Sequence, residues 1–267
     1  MNLNLLAGKN ILVVEDNSIN QMLVKHILSK SGATAIHIAG NGVQALDFLK
    51  VNSYDIILMD IHMPEMDGYQ TTLVIRNILN LSVPIVAMTA LAIKGEDQKC
   101  MSIGINGYVA KPFTMDTLYN ELERVIMDAS ATQPNKMQTS FRQVSDGDVT
   151  IDLSYLDELA SSDKAYIKTM INLFIENMPG TIEKMEQYNR IRDWENLAKT
   201  THFAQSSLAI IKVKKLYDLA LQIENVATIK HDNSAIFMIQ DMQRYYIQAQ
   251  KLLYKELELL SIEKQVA

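Results

Sequence analysis

Asp55-Ile56-Ile57-Leu58-Met59-Asp60 is the stretch that decides how the first half of this chain folds. Four consecutive large apolar residues without alternation describe a strand covered on both faces, and that pattern belongs to parallel sheets sandwiched between helices. Outward from it the pattern repeats. Asn10–Val14, Ala35–Ala39, Pro84–Met88 and Gly107–Ala110 read as four more strands beside Asp55–Met59. Amphipathic stretches near Ser18–Ser31, Asn41–Val51, Tyr69–Leu79, Lys94–Ile103 and Thr114–Asp128 read as the intervening and following helices. Repeated strand–helix alternation predicts an α/β, doubly wound, five-stranded parallel sheet with helices on both faces.

Residues 1–128 make up that domain. Residues 129–150 are polar, interrupted by proline and aperiodic, and read as a linker. Residues 151–267 show helical periodicity over Ser154–Ala160, Lys164–Met178, Thr181–Arg190, Trp194–Ile211, Val213–Thr228 and Asn233–Leu260, which predicts an all-α bundle. A length of 267 residues accommodates two such domains. With 48% apolar residues, 21% charged and a net charge of −6, the chain reads as globular and offers no basic footprint for nucleic acid. Its one cysteine, Cys100, rules out an internal disulfide. The sequence shows no apolar run of bilayer length and no signal-peptide pattern, so the expected location is the cytoplasm.

In an open parallel sheet, ligands bind beyond the carboxyl ends of the strands, where strand order reverses. Here those ends carry Glu15-Asp16, Asp60, Thr89 and Lys111-Pro112. Taken singly, each has an ordinary reading: an acidic pair after a strand caps a helix, and an Asp after a strand starts a turn. Placed together they suit phosphoryl transfer to a carboxylate. Converging carboxylates repel and favour a hard cation, and Mg²⁺ accepts such oxygens. The metal neutralises incoming phosphoryl oxygens. Lys111 adds positive charge, Thr89 a hydroxyl donor, and Asp60 a nucleophile able to form an acyl phosphate.

Residues 11–17 (Ile-Leu-Val-Val-Glu-Asp-Asn), 56–68 (Ile-Ile-Leu-Met-Asp-Ile-His-Met-Pro-Glu-Met-Asp-Gly), 86–90 (Val-Ala-Met-Thr-Ala) and 108–113 (Tyr-Val-Ala-Lys-Pro-Phe) resemble response-regulator receiver domains. The resemblance implies a flavodoxin-like fold. It implies Mg²⁺ held by Glu15, Asp16, Asp60 and the His62 backbone carbonyl, and phosphate accepted by Asp60. Thr89 and Lys111 would contact that phosphate, Tyr108 would be an aromatic switch, and the Lys111–Pro112 bond would be cis. An aspartyl-phosphate phosphatase on a similar sheet needs a second Asp two residues after the nucleophile, where His62 stands. No Gly-rich P-loop or kinase-like Asn and Gly boxes are present in these residues, so phosphate is expected from an upstream histidine kinase, and the two domains read either as a free-standing module or as the C-terminal part of a hybrid sensor kinase. A DNA-binding role is opposed by the lack of a basic recognition helix.

In the second domain Trp194, Leu197, Thr201, Ala204, Leu208 and Ile211 are spaced 3, 4, 3, 4, 3, a narrow seam facing a bundle core. His202 lies one step off it. Its helical neighbours Ala198, Lys199, Gln205, Ser206 and Ala209 include three small residues, which predicts an imidazole open to a docking partner. The run from Asp152 to His202 resembles histidine-containing phosphotransfer domains. That resemblance makes His202 a phosphohistidine exchanging phosphate with receivers, including other receiver or phosphotransfer domains as partners. The departures are Gln205, where that family has Lys, then Ser206, and Lys212 at the helix end, where a Gly is usual. The alternative is a degenerate bundle that binds partners without carrying phosphate.

Overall fold

Five parallel strands run in the order β2-β1-β3-β4-β5. They are β1 (Asn10–Val14), β2 (Ala35–Ala39), β3 (Ile56–Asp60), β4 (Ile85–Thr89) and β5 (Gly107–Ala110). This is the doubly wound parallel sheet that the alternation predicts, in the flavodoxin-like strand order that the resemblance implies. The structure, a computed structural model, describes residues 6–89, 100–127, 149–160, 163–231 and 234–262. The chain divides into two compact units, Met1–Gly147 and Asp148–Ala267.

In the first unit Val14 pairs with Met59, Asp60 with Met88 and Thr89 with Ala110. That register sets Glu15 level with Asp60 and brings Lys111 in just beyond Thr89. β3 and β4 lie one residue later than expected, so Asp60 and Thr89 are the last strand residues and not the first loop residues. Pro84 cannot start the β4 ladder because it has no N–H to donate. Both strands are buried along their whole length.

The helices of this unit are α1 (Ser18–Ser29), α2 (Gly42–Val51), α3 (Gly68–Asn77) and α4 (Met115–Met127). Asn17 caps α1 and Asn41 caps α2 through side-chain oxygens, and Asp67 with Gln70 forms a capping box on α3. Of the predicted helix Lys94–Ile103, residues 100–102 are helical and 94–99 lie outside the described residues. The predicted linker falls outside them as well, apart from its last two residues.

The second unit contains α5 (Ser154–Ala160), α6 (Lys164–Ile191), α7 (Trp194–Ile211), α8 (Lys214–Asn225), a π-helical turn (Val226–Lys230) and α9 (Ala235–Ile262). Two predictions need correction. The stretch Val213–Thr228 is an α-helix passing into the π-turn. More consequentially, the helices expected at Lys164–Met178 and Thr181–Arg190 are one, α6, which runs through Pro179. Proline removes the hydrogen bond to the carbonyl four residues back, here Ile175. The Tyr246 hydroxyl of α9 fills that vacancy, donating to the Ile175 carbonyl at 2.8 Å. A tertiary contact thus replaces the local bond, and the helix does not break. Among the described residues no helix is long and apolar enough to cross a membrane.

Candidate functional site

The carboxyl ends of the strands converge as the register requires. Glu15, Asp60 and Thr89 are buried and Asp16 is half-buried. Glu15, Asp16 and Asp60 each offer an oxygen within 4.8 Å of the others. Lys111 Nζ donates to Glu15 Oε2 at 2.5 Å and to Asp60 Oδ2 at 2.6 Å. The remaining Asp60 oxygen, Oδ1, accepts from the His62 N–H at 3.2 Å, and the His62 side chain is exposed.

Three carboxylates against the Lys111 ammonium leave the cluster negative. Burial first, and then the Asp60 charge, push the Glu15 carboxyl up to about 8. For Lys111, burial opposes the charge, but the Asp60 and Glu15 carboxylates outweigh it and hold the ammonium above the ordinary lysine value. Hard oxygen donors with excess negative charge at the ends of neighbouring strands suit a divalent cation of the Mg²⁺ type.

Two glycines make the geometry possible. A Cβ on Gly68 would lie 2.2 Å from the Asp60 carbonyl, so only glycine lets the start of α3 come so close to the end of β3. A Cβ on Gly107 would lie 2.3 Å from Glu121 Oε1. That carboxylate accepts the Tyr108 N–H at 2.9 Å and is clasped by Arg124, closing the outer edge of β5. Tyr108 is half-buried and packs against the core cluster containing Leu12, Met59 and Ile105. The Lys111–Pro112 bond is cis. Residues 90–99, which follow Thr89, lie outside the described residues.

Sequence reasoning missed the residues that hold Glu15. Asn20 Nδ2 donates to Glu15 Oε1 at 2.8 Å, the Asn17 N–H reaches the same oxygen at 3.3 Å, and Gln21 Nε2 donates to the Glu15 carbonyl at 2.6 Å. The signal is the amide-rich run Asn17, Asn20 and Gln21 that follows Asp16.

In the second unit His202 contradicts the expectation of an exposed imidazole. It is 9% exposed, and Nδ1 lies 3.0 Å from Glu224 Oε1 on α8. Gln205, 2% exposed, donates to Glu224 Oε2 at 2.6 Å. α7 packs against both α6 and α8, so its buried stripe is broader than the seam and takes in the flank. Nothing in the local sequence distinguishes Glu224 from any other helical glutamate. Lys199, one turn before His202, pairs with Glu195 at 2.7 Å on the exposed surface. Lys212 adopts the left-handed conformation expected there, with φ 50°.

The family described as the response regulator receiver domain matches residues 11–123. "Histidine kinase 3" of Arabidopsis thaliana is 35% identical over 152 residues, which is 49% of this chain and 15% of that protein. "Sensor histidine kinase RcsC" of Salmonella typhimurium is 42% identical over 112 residues, 42% of this chain and 12% of that protein. The chain therefore spans only a small part of the curated relatives it matches. Among solved structures, the receiver domain of sensor histidine kinase PA1611 from Pseudomonas aeruginosa PAO1, with magnesium in its active-site cleft, is 39% identical. The match covers 45% of this chain and 99% of that one, with a TM-score of 0.42.

Proposed function

Residues 11–123 being a response regulator receiver domain, we propose that this chain is a phosphorelay component whose Asp60 accepts a phosphoryl group from a histidine kinase. One observation carries the reading: Lys111 bonds both Glu15 and Asp60 within a cluster of three carboxylates at the strand ends. An Asp60 oxygen attacks phosphorus, the bond from phosphorus to the donor imidazole nitrogen breaks, and an acyl phosphate forms. Glu15, Asp16, Asp60 and the His62 carbonyl would hold Mg²⁺, which would supply positive charge to neutralise the phosphoryl oxygens. Lys111 stays beside the charge that develops on Asp60. The Thr89 hydroxyl, at the end of the neighbouring strand, contacts the phosphoryl group. Tyr108 acts as the switch that reports its arrival.

His202 exchanges phosphate with a receiver. Glu224, facing Nδ1, fixes the ring so that Nε2 is the nucleophile. The rival reading, a bundle that binds partners without carrying phosphate, is favoured by one observation. His202 is largely covered, and Gln205 turns its amide to Glu224 and offers no cation. The deciding experiment treats the full chain with a labelled histidine kinase and compares Asp60→Asn and His202→Ala. We expect an acid-labile, base-labile phosphate that is lost in Asp60→Asn. We also expect an acid-labile, alkali-stable phosphate lost in His202→Ala. Phosphate persisting at normal yield in Asp60→Asn sinks the receiver assignment. Absence of the alkali-stable species leaves the second unit as a binding module.

A further inference from the structure

Glu15 is completely buried, yet both of its carboxylate oxygens are held by donors from within the protein. Lys111 holds Oε2, and Asn20, one turn into α1 and 3% exposed, holds Oε1 at 2.8 Å. Lys111 also serves Asp60, so its position is shared between two carboxylates. The Asn20 amide nitrogen turns to Glu15. Its amide reaches across from the helix that Asn17 caps, and the same Asn17 also points its N–H at Glu15.

From this geometry we infer that Asn20 is a positioning residue for the divalent-metal site: it fixes the rotamer of Glu15 so that the carboxylate faces Asp16 and Asp60. The inference rests on the proposed metal site and adds to it a residue outside the carboxylate cluster. A carboxylate without that donor is held only through Oε2 by Lys111 and is free to rotate about its last bond. Partners that orient metal-binding groups in this way typically matter about 10- to 100-fold in metal affinity. Gln21 supplies an internal control, because it touches Glu15 only through the main-chain carbonyl and leaves the carboxylate untouched.

The test is Mn²⁺ binding to the full chain, followed by the electron paramagnetic resonance signal of the free ion, so no phosphoryl transfer is needed. Asn20→Ala is expected to weaken binding roughly tenfold or more, while Gln21→Ala stays close to the parent protein. In a Glu15→Ala background Asn20→Ala should change nothing further, because residues acting through one contact are not additive. A structural role would give the same loss in both backgrounds, and that result overturns the inference. So does parental affinity in Asn20→Ala. If Asn20→Ala does not fold, Asn20→Leu keeps the volume without the donor and carries the same expectations. If Glu15→Ala itself binds Mn²⁺ as the parent does, the metal site fails and the role of Asn20 falls with it.

Discussion

The two candidate acceptors, Asp60 and His202, sit in opposite electrostatic settings. Asp60 is an anion among anions, with Lys111 divided between it and Glu15. His202 faces the Glu224 carboxylate, whose second oxygen is already taken by Gln205. The first site is left short of positive charge, which a bound cation would supply. The second is closed by groups of its own bundle and gains nothing from a metal. An acyl phosphate therefore needs charge brought to it, whereas an imidazole needs only orientation and access. The two units also differ in origin. The first site is built from strand ends far apart in sequence, and the second from two successive helices.

The largest expected effect breaks the comparison at Lys111. Lys111→Met leaves Glu15 and Asp60 without their shared partner. Removing one member of a buried ion pair typically costs about 3–5 kcal/mol. Urea unfolding of the metal-free chain, followed by far-ultraviolet circular dichroism, should show the first transition shifted down by that order. Saturating Mg²⁺ should recover part of the loss by substituting for the ammonium. Unchanged stability in Lys111→Met would mean the carboxylates do not repel, and the contrast between the two sites would be lost.

A smaller effect is expected at Tyr246. Tyr246→Phe leaves the Ile175 carbonyl without a donor inside α6, a loss of about 1–3 kcal/mol. Trp194, the chain's single tryptophan, reports on the second unit alone. Pro179→Ala restores the backbone N–H that Ile175 lacks, so the cost of Tyr246→Phe should shrink in that background. An equal cost in both backgrounds would show that the hydroxyl does not substitute for the helical bond.

Next comes the orientation of His202. A hydrogen bond to a charged group is worth about 1.5–3 kcal/mol. Glu224→Ala should therefore slow phosphate arrival at His202 roughly tenfold or more. Gln205→Lys, which places there the charge that phosphotransfer domains carry, should not help. A lysine at that buried position meets Glu224 Oε2 and competes for the carboxylate that orients the imidazole. A faster transfer in Gln205→Lys would show that charge, not orientation, limits this site. It would also make the second unit resemble the first more than its structure suggests.

The same contrast explains what could be read from the sequence. The β-strands and the strand-end residues Glu15, Asp16, Asp60, Thr89 and Lys111 were legible because a parallel sheet gathers its carboxyl ends by topology, whatever lies between them. Their order along the chain already implied their meeting. Asn20 was less legible, because an amide one turn into a helix has many uses and only the rotamer of Glu15 gives it one. The continuity of α6 was not legible at all. Pro179-Gly180 is a strong local stop signal, and the group that overrides it, Tyr246, lies on another helix. The burial of His202 failed for the same reason. A helix's own periodicity describes one seam, while α7 is covered from two sides, and Glu224 arrives from the next helix.

The smallest expected effect concerns the end of α7. Lys212 is held at φ 50° and ψ 47°, a left-handed conformation that costs a residue with a Cβ about 1 kcal/mol more than glycine. Lys212→Gly removes that strain. The side chain it deletes lies 3.4 Å from Asp152 and 5.9 Å from the Tyr155 ring centroid. The ion pair with Asp152, between exposed groups, contributes about 0.2–1 kcal/mol. The two terms have opposite signs and similar size, so the net gain should be only a few tenths of a kcal/mol. Lys212→Asn separates them, because asparagine tolerates the left-handed region better than lysine while also losing the contacts. If strain dominates, the Trp194 transition should rise in the order Lys, Asn, Gly at position 212. If the contacts with Asp152 and Tyr155 dominate, both variants should fall below the parent. The lysine would then be part of how this bundle closes its α7–α8 corner, and not a leftover strain.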